Sequence, residues 1–245
     1  MKASIIICWT NKELTDEAIE YLEDQGLRDE FEIIALDNRN NKFSSAAKAL
    51  NYGASIAKGE ILIFMHQDVF FEDSNDVSKL IGYFDKLDDL ALLGVAGING
   101  KDLMIYSNIT ETYDHINKYK NITEPIEVET IDECVIAIRK KIFDRIKFDE
   151  ITCDNWHFYG VDLSYQVRLN NGKVYSVPVP VCHLSQGNTN LSFYKNLKKL
   201  GKKYHNVLPN INSTCIQTKN NRLILNYYVF RTWCGHLLRK IGLRK

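Results

Sequence analysis

The 245-residue chain is 45% hydrophobic and carries 31 basic and 31 acidic residues, so it is expected to fold as a globular protein, as one large domain or two halves sharing a core. The zero net charge hides an asymmetry. Asp162 is the last acidic residue, leaving fourteen Lys/Arg unopposed in residues 163–245 and seventeen basic against thirty-one acidic residues before them; such a tail points to an anionic partner (phospholipid, lipid-linked phosphate or nucleic acid) or docks on the acidic body.

The chain opens "MKASIIICWTNKEL", whose apolar run is too short for the core of a secretory signal. No uncharged apolar stretch approaches the ~20 residues of a membrane span, and the expectation is a protein made and kept in the cytoplasm. The six cysteines include no C-x-x-C pair and read as reduced, small core residues. N-x-S/T matches at Asn108, Asn121, Asn190 and Asn212 are read as chance.

"SIIICW" (4–9) and "FEIIAL" (31–36) are apolar runs suited to strands buried on both faces. Between them Leu14, Ala18, Tyr21 and Leu22 recur at helical spacing, with Gly26 as a helix stop. A second helix over 44–59 leads into the strand "EILIFM", a third is expected over 76–87, and "LALLGVAGI" (90–98) reads as one strand. This alternation implies a parallel α/β sheet. Beyond residue 100 it loosens: 127–143 reads as a strand turning into a short helix, and 172–185 as an edge strand with prolines. In the tail, Phe193, Leu197, Leu200 and Tyr204 share one helical face. Leu223, Tyr227, Phe230, Cys234, Leu237 and Ile241 form a second stripe, expected first to pack on the chain's own domain, otherwise to lie on a membrane surface or form a dimer seam.

In open parallel sheets ligands bind beyond the carboxyl ends of the strands. Three polar groups fall there: Thr10-Asn11, Asp37-Asn38 and His66-Gln67-Asp68. The first turn, "CWTNKEL", has no glycine, so the dinucleotide fingerprint is absent and nicotinamide or flavin chemistry is not expected.

These strand ends, the block "NYGASIAKGEILIF", an aspartate three residues past the third strand, and the stretches "ECVIAIRKKIF" and "HFYGVDLSYQVRLNNGKVYSVPVPVCH" together resemble the family 2 glycosyltransferases of the GT-A fold. The resemblance covers residues 3–185. It implies an α/β fold with a mainly parallel central sheet flanked by helices. Residues 1–188 would form the transferase domain (1–98 the nucleotide-binding half, 99–188 the acceptor half) and 189–245 a basic, mainly helical extension. The implied activity is inverting transfer of a hexosyl or deoxyhexosyl group from a nucleotide-diphosphate sugar to a glycan or lipid-linked acceptor, in bacterial surface polysaccharide or glycoconjugate synthesis.

By the same resemblance, Thr10, Asn11, Asp37, Asn51, His66 and Asp68 would bind the nucleotide donor. Asp68 and His183 would hold a divalent cation, Mn²⁺ or Mg²⁺, which stabilises charge on a leaving diphosphate. His66 stands where the family's metal motif has its first aspartate, a departure that implies a weaker or water-mediated site, or loss of metal dependence. Asp162 matches the second acid of the family's Glu-Asp pair, with Val161 replacing the first, and is the expected general base. Apart from the resemblance, the flat side chains of Trp156, His157 and Tyr159 suit a platform for an acceptor sugar, and Glu133 and Asp132 could bind sugar hydroxyls at the crevice.

Each residue also has a purely structural reading: Asp68 and Asp162 as helix caps, His183 and the aromatics as core, Asp37 as a strand-end turn. Two other functions stay open. One is a degenerate, non-catalytic nucleotide-sugar-binding module; the other is a nucleotidyltransferase, although the glycine-rich first loop usual there is missing. Nucleic acid is not an expected partner, because the basic residues lie in the tail rather than around the crevice. The tail helix is the expected point of any peripheral membrane contact or homodimer.

Overall fold

The computed structural model describes residues 1–24, 30–111, 119–184 and 189–240. Gly26, expected to stop the first helix, and Ile241, the last stripe position, lie outside them. In chain order the first half comprises β1 (Ala3–Trp9), α1 (Lys12–Asp24), β2 (Phe31–Asp37), α2 (Ala46–Ile56), β3 (Ile61–Met65), β4 (Val69–Phe71), α3 (Asp76–Lys86), β5 (Leu90–Gly94) and β6 (Ala96–Ile98). There follow β7 (Ile105–Ser107), β8 (Ile109–Glu111), β9 (Ile126–Glu127), β10 (Thr130–Ile131), β11 (Val135–Arg139), α4 (Lys140–Ile146), α5 (Tyr159–Leu169), β12 (Lys173–Ser176) and β13 (Val181–His183). The extension holds α6 (Leu191–Lys203), β14 (Asn210–Asn212), β15 (Gln217–Lys219) and α7 (Arg222–Lys240).

A seven-stranded sheet, β2-β1-β3-β11-β5-β12-β9, forms the centre. β2, β1, β3, β5 and β12 run one way; β11 and β9 oppose them. The strands are apolar on both sides because both faces are covered. Ile5, Ile7, Ile61, Ile63 and Met65 point toward α1 and α3. Ile6, Leu62 and Phe64 point toward α2, α4 and α5. The alternation of successive side chains distributes one apolar run between two cores.

The single strand expected over 90–98 is two. The chain leaves the central sheet at Val95, and β6 joins a separate sheet between β10 and β7. A third small sheet sets β13 between β4 and β8.

The extension packs on α5. Phe193, Leu197, Leu200 and Tyr204 of α6 bury against Phe158, Val161 and Tyr165, using the face foreseen from the sequence. α7 corrects the expectation: it attaches through Leu225 and Tyr228, while Leu223, Tyr227, Phe230 and Leu237 of the periodic stripe are exposed. Gly201 permits this contact, since a Cβ there would meet the Leu225 side chain.

Candidate functional site

A cavity of about 290 Å³ opens at the carboxyl ends of β1 and β3, lined by Cys8, Thr10, Ala46, Leu50, Met65, His66, Gln67, Asp68, Trp156 and Tyr159. Thr10, His66 and Asp68, expected at the donor, and Trp156 and Tyr159, expected at the acceptor, are therefore gathered around one cavity. Gln67, noted at this strand end but given no role, has one: its Oε1 accepts the backbone N–H groups of Thr10 (2.8 Å) and Asn11 (2.9 Å), locking the ends of β1 and β3 together. Cys8, its thiol pushed up to about 12 by burial and by Asp37, is an apolar wall rather than a nucleophile.

His183, which does not itself line the cavity, reaches Asp68 through strand register. β13 runs antiparallel to β4 with His183 opposite Val69, and the Leu184 N–H donates to the Asp68 carbonyl at 3.0 Å. His183 Nε2 stands 3.5 Å from Asp68 Oδ1, and the rings of His183 and His66 lie 5.7 Å apart. One ligand atom from each of His66, Asp68 and His183 can be chosen so that all lie within 4.8 Å of one another. His66 therefore does more than replace a lost carboxylate; it stands where a third ligand would.

The chemistry of this set fits a divalent cation. Burial, then the adjacent His183 imidazole, hold His66 below the usual histidine range, so it is neutral and able to donate a lone pair. Its Nε2 bonds the Tyr159 hydroxyl at 2.8 Å, and that hydroxyl donates to the Glu133 carbonyl at 3.3 Å. Both contacts are satisfied when Nε2 carries the proton, leaving Nδ1 as the ligand nitrogen, with Tyr159 fixing ring and tautomer. Two imidazoles and one carboxylate are ligand types that a divalent metal ion accepts. Asp68 does not cap α3, whose N-cap is Asn75.

Asp132 and Glu133 follow β10 beside the histidines. Asp132 Oδ1 accepts the Cys134 N–H (3.0 Å) and Oδ2 the Thr214 hydroxyl (2.5 Å). Burial acts to raise it, but these bonds and the two histidines outweigh that effect and hold it below the ordinary aspartate value. Glu133 accepts the Gly160 N–H at 3.0 Å, and burial, then the Asp132 charge, push its carboxyl up to about 8. Neighbouring acids driven apart in this way occupy different protonation states at neutral pH. A small pocket beside them is lined by Phe158, Val161 and Ser213–Cys215, so the extension contributes to it.

Asp162 stands apart from the cavity. It lies in the first turn of α5, yet its side chain is 0% exposed and does not line the cavity. It accepts from Lys203 Nζ (2.7 and 3.0 Å), the Tyr204 hydroxyl (2.9 Å) and Gln166 Nε2 (2.8 Å). Nor does it cap the helix: the N-cap is Phe158, at φ 66°, with its ring buried among the extension's aromatics. Its carboxylate is thus enclosed by Lys203, Tyr204 and Gln166.

Three more of the expected site residues do not line the cavity. Asn51 is a clamp, its amide bonded to the Phe148 carbonyl (2.9 Å), the Phe148 N–H (3.1 Å) and Glu150 (2.9 Å), outside the cavity. Asn11 caps α1, its Oδ1 accepting the Leu14 N–H at 3.2 Å. His157 packs on Phe193, ring centroids 5.4 Å apart, where burial lowers its pKa. Asp37 ends β2 in register with Trp9; Arg39 holds it by 2.6 Å and 3.1 Å bonds and lies over the Trp9 ring. Trp156 is 40% exposed at the cavity rim.

A model of a glycosyltransferase-like family matches residues 4–204, running through α6. Among curated proteins, the product of "ATP synthase subunits region ORF 6" of Fuscovulum blasticum is 25% identical over 205 residues, covering 79% of this chain and 80% of its own. Among solved structures, GalNAc-T7 with UDP, GalNAc and Mn²⁺ superposes with TM-score 0.59 at 13% identity, covering 98% of this chain; the chain spans only 57% of its length. S. aureus TarS in complex with UDP-GlcNAc gives 0.60 at 14% identity, over 95% of this chain and 72% of the other. The mannosyltransferase PcManGT of Pyrobaculum calidifontis, with GDP-Man and Mn²⁺, gives 0.59 at 10%, over 94% and 69%. These likenesses establish the GT-A fold.

Proposed function

The chain belongs to this glycosyltransferase-like family, and on that premise we propose that it transfers a sugar from a nucleotide-diphosphate donor, with inversion, to a hydroxyl of a glycan or lipid-linked acceptor. The observation that carries the proposal is the His66–Asp68–His183 cluster, of which His66 and Asp68 line the cavity. Structures of enzymes of similar fold hold nucleotide sugars or nucleotides, two of them with Mn²⁺.

In this reading the nucleotide lies over the carboxyl ends of β1 and β2, between Thr10 and Asp37, with Trp156 offering a flat surface at the rim. His66, Asp68 and His183 would hold a divalent cation, Mn²⁺ or Mg²⁺, which stabilises the negative charge of the departing diphosphate. Asp132 replaces Asp162 as general base: it is partly exposed, ionised and adjacent to the histidines. It takes the proton of the acceptor hydroxyl as that oxygen bonds the anomeric carbon and the carbon–diphosphate bond breaks. Glu133, protonated at neutral pH, donates to a sugar oxygen. A setting in surface glycan synthesis accords with the acceptor class.

The test is a thermal-shift screen of nucleotide sugars with and without Mn²⁺ or Mg²⁺, followed by assay of nucleoside diphosphate release. A metal-dependent hit with turnover is expected. Asp68→Ala should abolish the metal dependence of binding, and Asp132→Asn should lower turnover by 10²-fold or more with donor binding intact. Donor binding with no release under any acceptor would establish a binding module instead.

A further inference from the structure

Helix α7 is held by one side. Leu225 is buried and Tyr228 stacks on Tyr194 of α6, centroids 5.6 Å apart. The other side presents Leu223, Tyr227, Phe230, Trp233 and Leu237, each between 46% and 78% exposed. At 3.6 residues per turn these five fall within an arc of about 120°. One exposed apolar residue needs no explanation, but a continuous band of five large ones does.

The lysines of α6 divide into two rows. Lys199 and Lys203 face the body, paired with Asp154, Asp149 and Asp162, which realises the docking of tail on body. Lys195, Lys198 and Lys202, spaced along a different face, form no ion pair among the described residues. They border α7: Lys195 shares a groove with Phe230 and Trp233, and Lys198 and Lys202 share another with Arg222. No acidic residue follows Asp162, so nothing on either helix offsets these charges.

We propose that this face, the apolar band of α7 flanked by the lysine row of α6, docks on an anionic phospholipid surface. Trp and Tyr suit the headgroup boundary, aliphatic and Phe side chains the acyl region below it, and lysines the anionic headgroups beside it. Because no described helix is long and apolar enough to span a bilayer, the contact is peripheral. A second copy of the chain is the poorer occupant: a two-fold contact through this face would bring two unopposed lysine rows together.

The experiment is co-sedimentation of the full chain with vesicles of phosphatidylcholine alone and of phosphatidylcholine containing one-third phosphatidylglycerol. Binding is expected on the anionic vesicles only, weakened at about 0.5 M salt. Each lysine is worth roughly fivefold near such a surface, so Lys195→Glu/Lys198→Glu/Lys202→Glu should lower the partition coefficient by about a hundredfold or more. Phe230→Ser/Trp233→Ser should lower it at least tenfold, with the melting transition of both variants unchanged because these side chains are exposed. Equal binding to neutral and anionic vesicles, no binding to either, or a concentration-dependent dimer that Phe230→Ser/Trp233→Ser dissolves would each overturn the proposal.

Discussion

Replacing Lys203 with Met separates the structural role of Asp162 from a catalytic one. Lys203 Nζ meets both Asp162 oxygens at 2.7 and 3.0 Å and Asp149 at 2.9 Å, joining α6 to α5 and to the loop before it. Removing one partner of a buried ion pair costs about 3–5 kcal/mol, because the other charge stays desolvated. Tyr204 and Gln166 already bond Asp162 in the parent protein and return nothing new. The stranded carboxyl can, however, take up a proton. Its pKa, already pushed up by burial against the pull of Lys203, rises further without the cation. A raised folded-state acid pKa means that stability is lost as pH rises through it, so the deficit should be about 3 kcal/mol at pH 7 and smaller at pH 5. Asp162→Asn leaves Lys203 with Asp149 and should cost less, about 1–2 kcal/mol. Urea unfolding at the two pH values measures both, and sugar transfer by Asp162→Asn should survive. The reasoning fails if Asp162→Asn unfolds within about 0.5 kcal/mol of the parent while transfer collapses and donor binding persists; Asp162 would then be the base.

Tyr159→Phe removes the hydroxyl that orients His66, and Mn²⁺ affinity measured by calorimetry should fall 10–100-fold; an unchanged affinity would remove Tyr159 from the support of that ring. Glu133→Gln should flatten the pH dependence of stability. With its folded pKa at about 8 against 4.5 in the unfolded chain, Glu133 makes the parent less stable as pH rises between those values, whereas Gln has no proton to lose; parallel denaturation curves at pH 5 and 8 for both proteins would contradict this. Thr214→Val deletes the hydroxyl that holds Asp132 down, so the acidic limb of the turnover profile should move to higher pH, with the Michaelis constant for the donor little changed. A profile that falls uniformly would assign Thr214 a merely structural part.

What could be read from the sequence is local. Runs such as "SIIICW" and "EILIFM" specify strands buried on both faces, and the apolar spacing of 193–204 specifies the buried face of α6, because period and burial depend on the residues themselves. The crevice at the strand ends and Asp68 within it follow from the same logic. What tertiary structure decided is which side chains meet. His183 reaches Asp68 through the register of β13 on β4, and register between distant segments is not written in either one alone. The stretch "FYGVDLS" places Asp162 at the start of a helix, but Lys203, forty-one residues later, arrives from α6 and encloses it, while Asp132 and Glu133 remain half-buried. The stripe of α7 has the periodicity of a packing face, yet Leu225 and Gly201 fit closely enough that the opposite side packs and the stripe turns outward. A side chain's propensity is its own, whereas its charge state, exposure and role are set by partners that the fold brings to it.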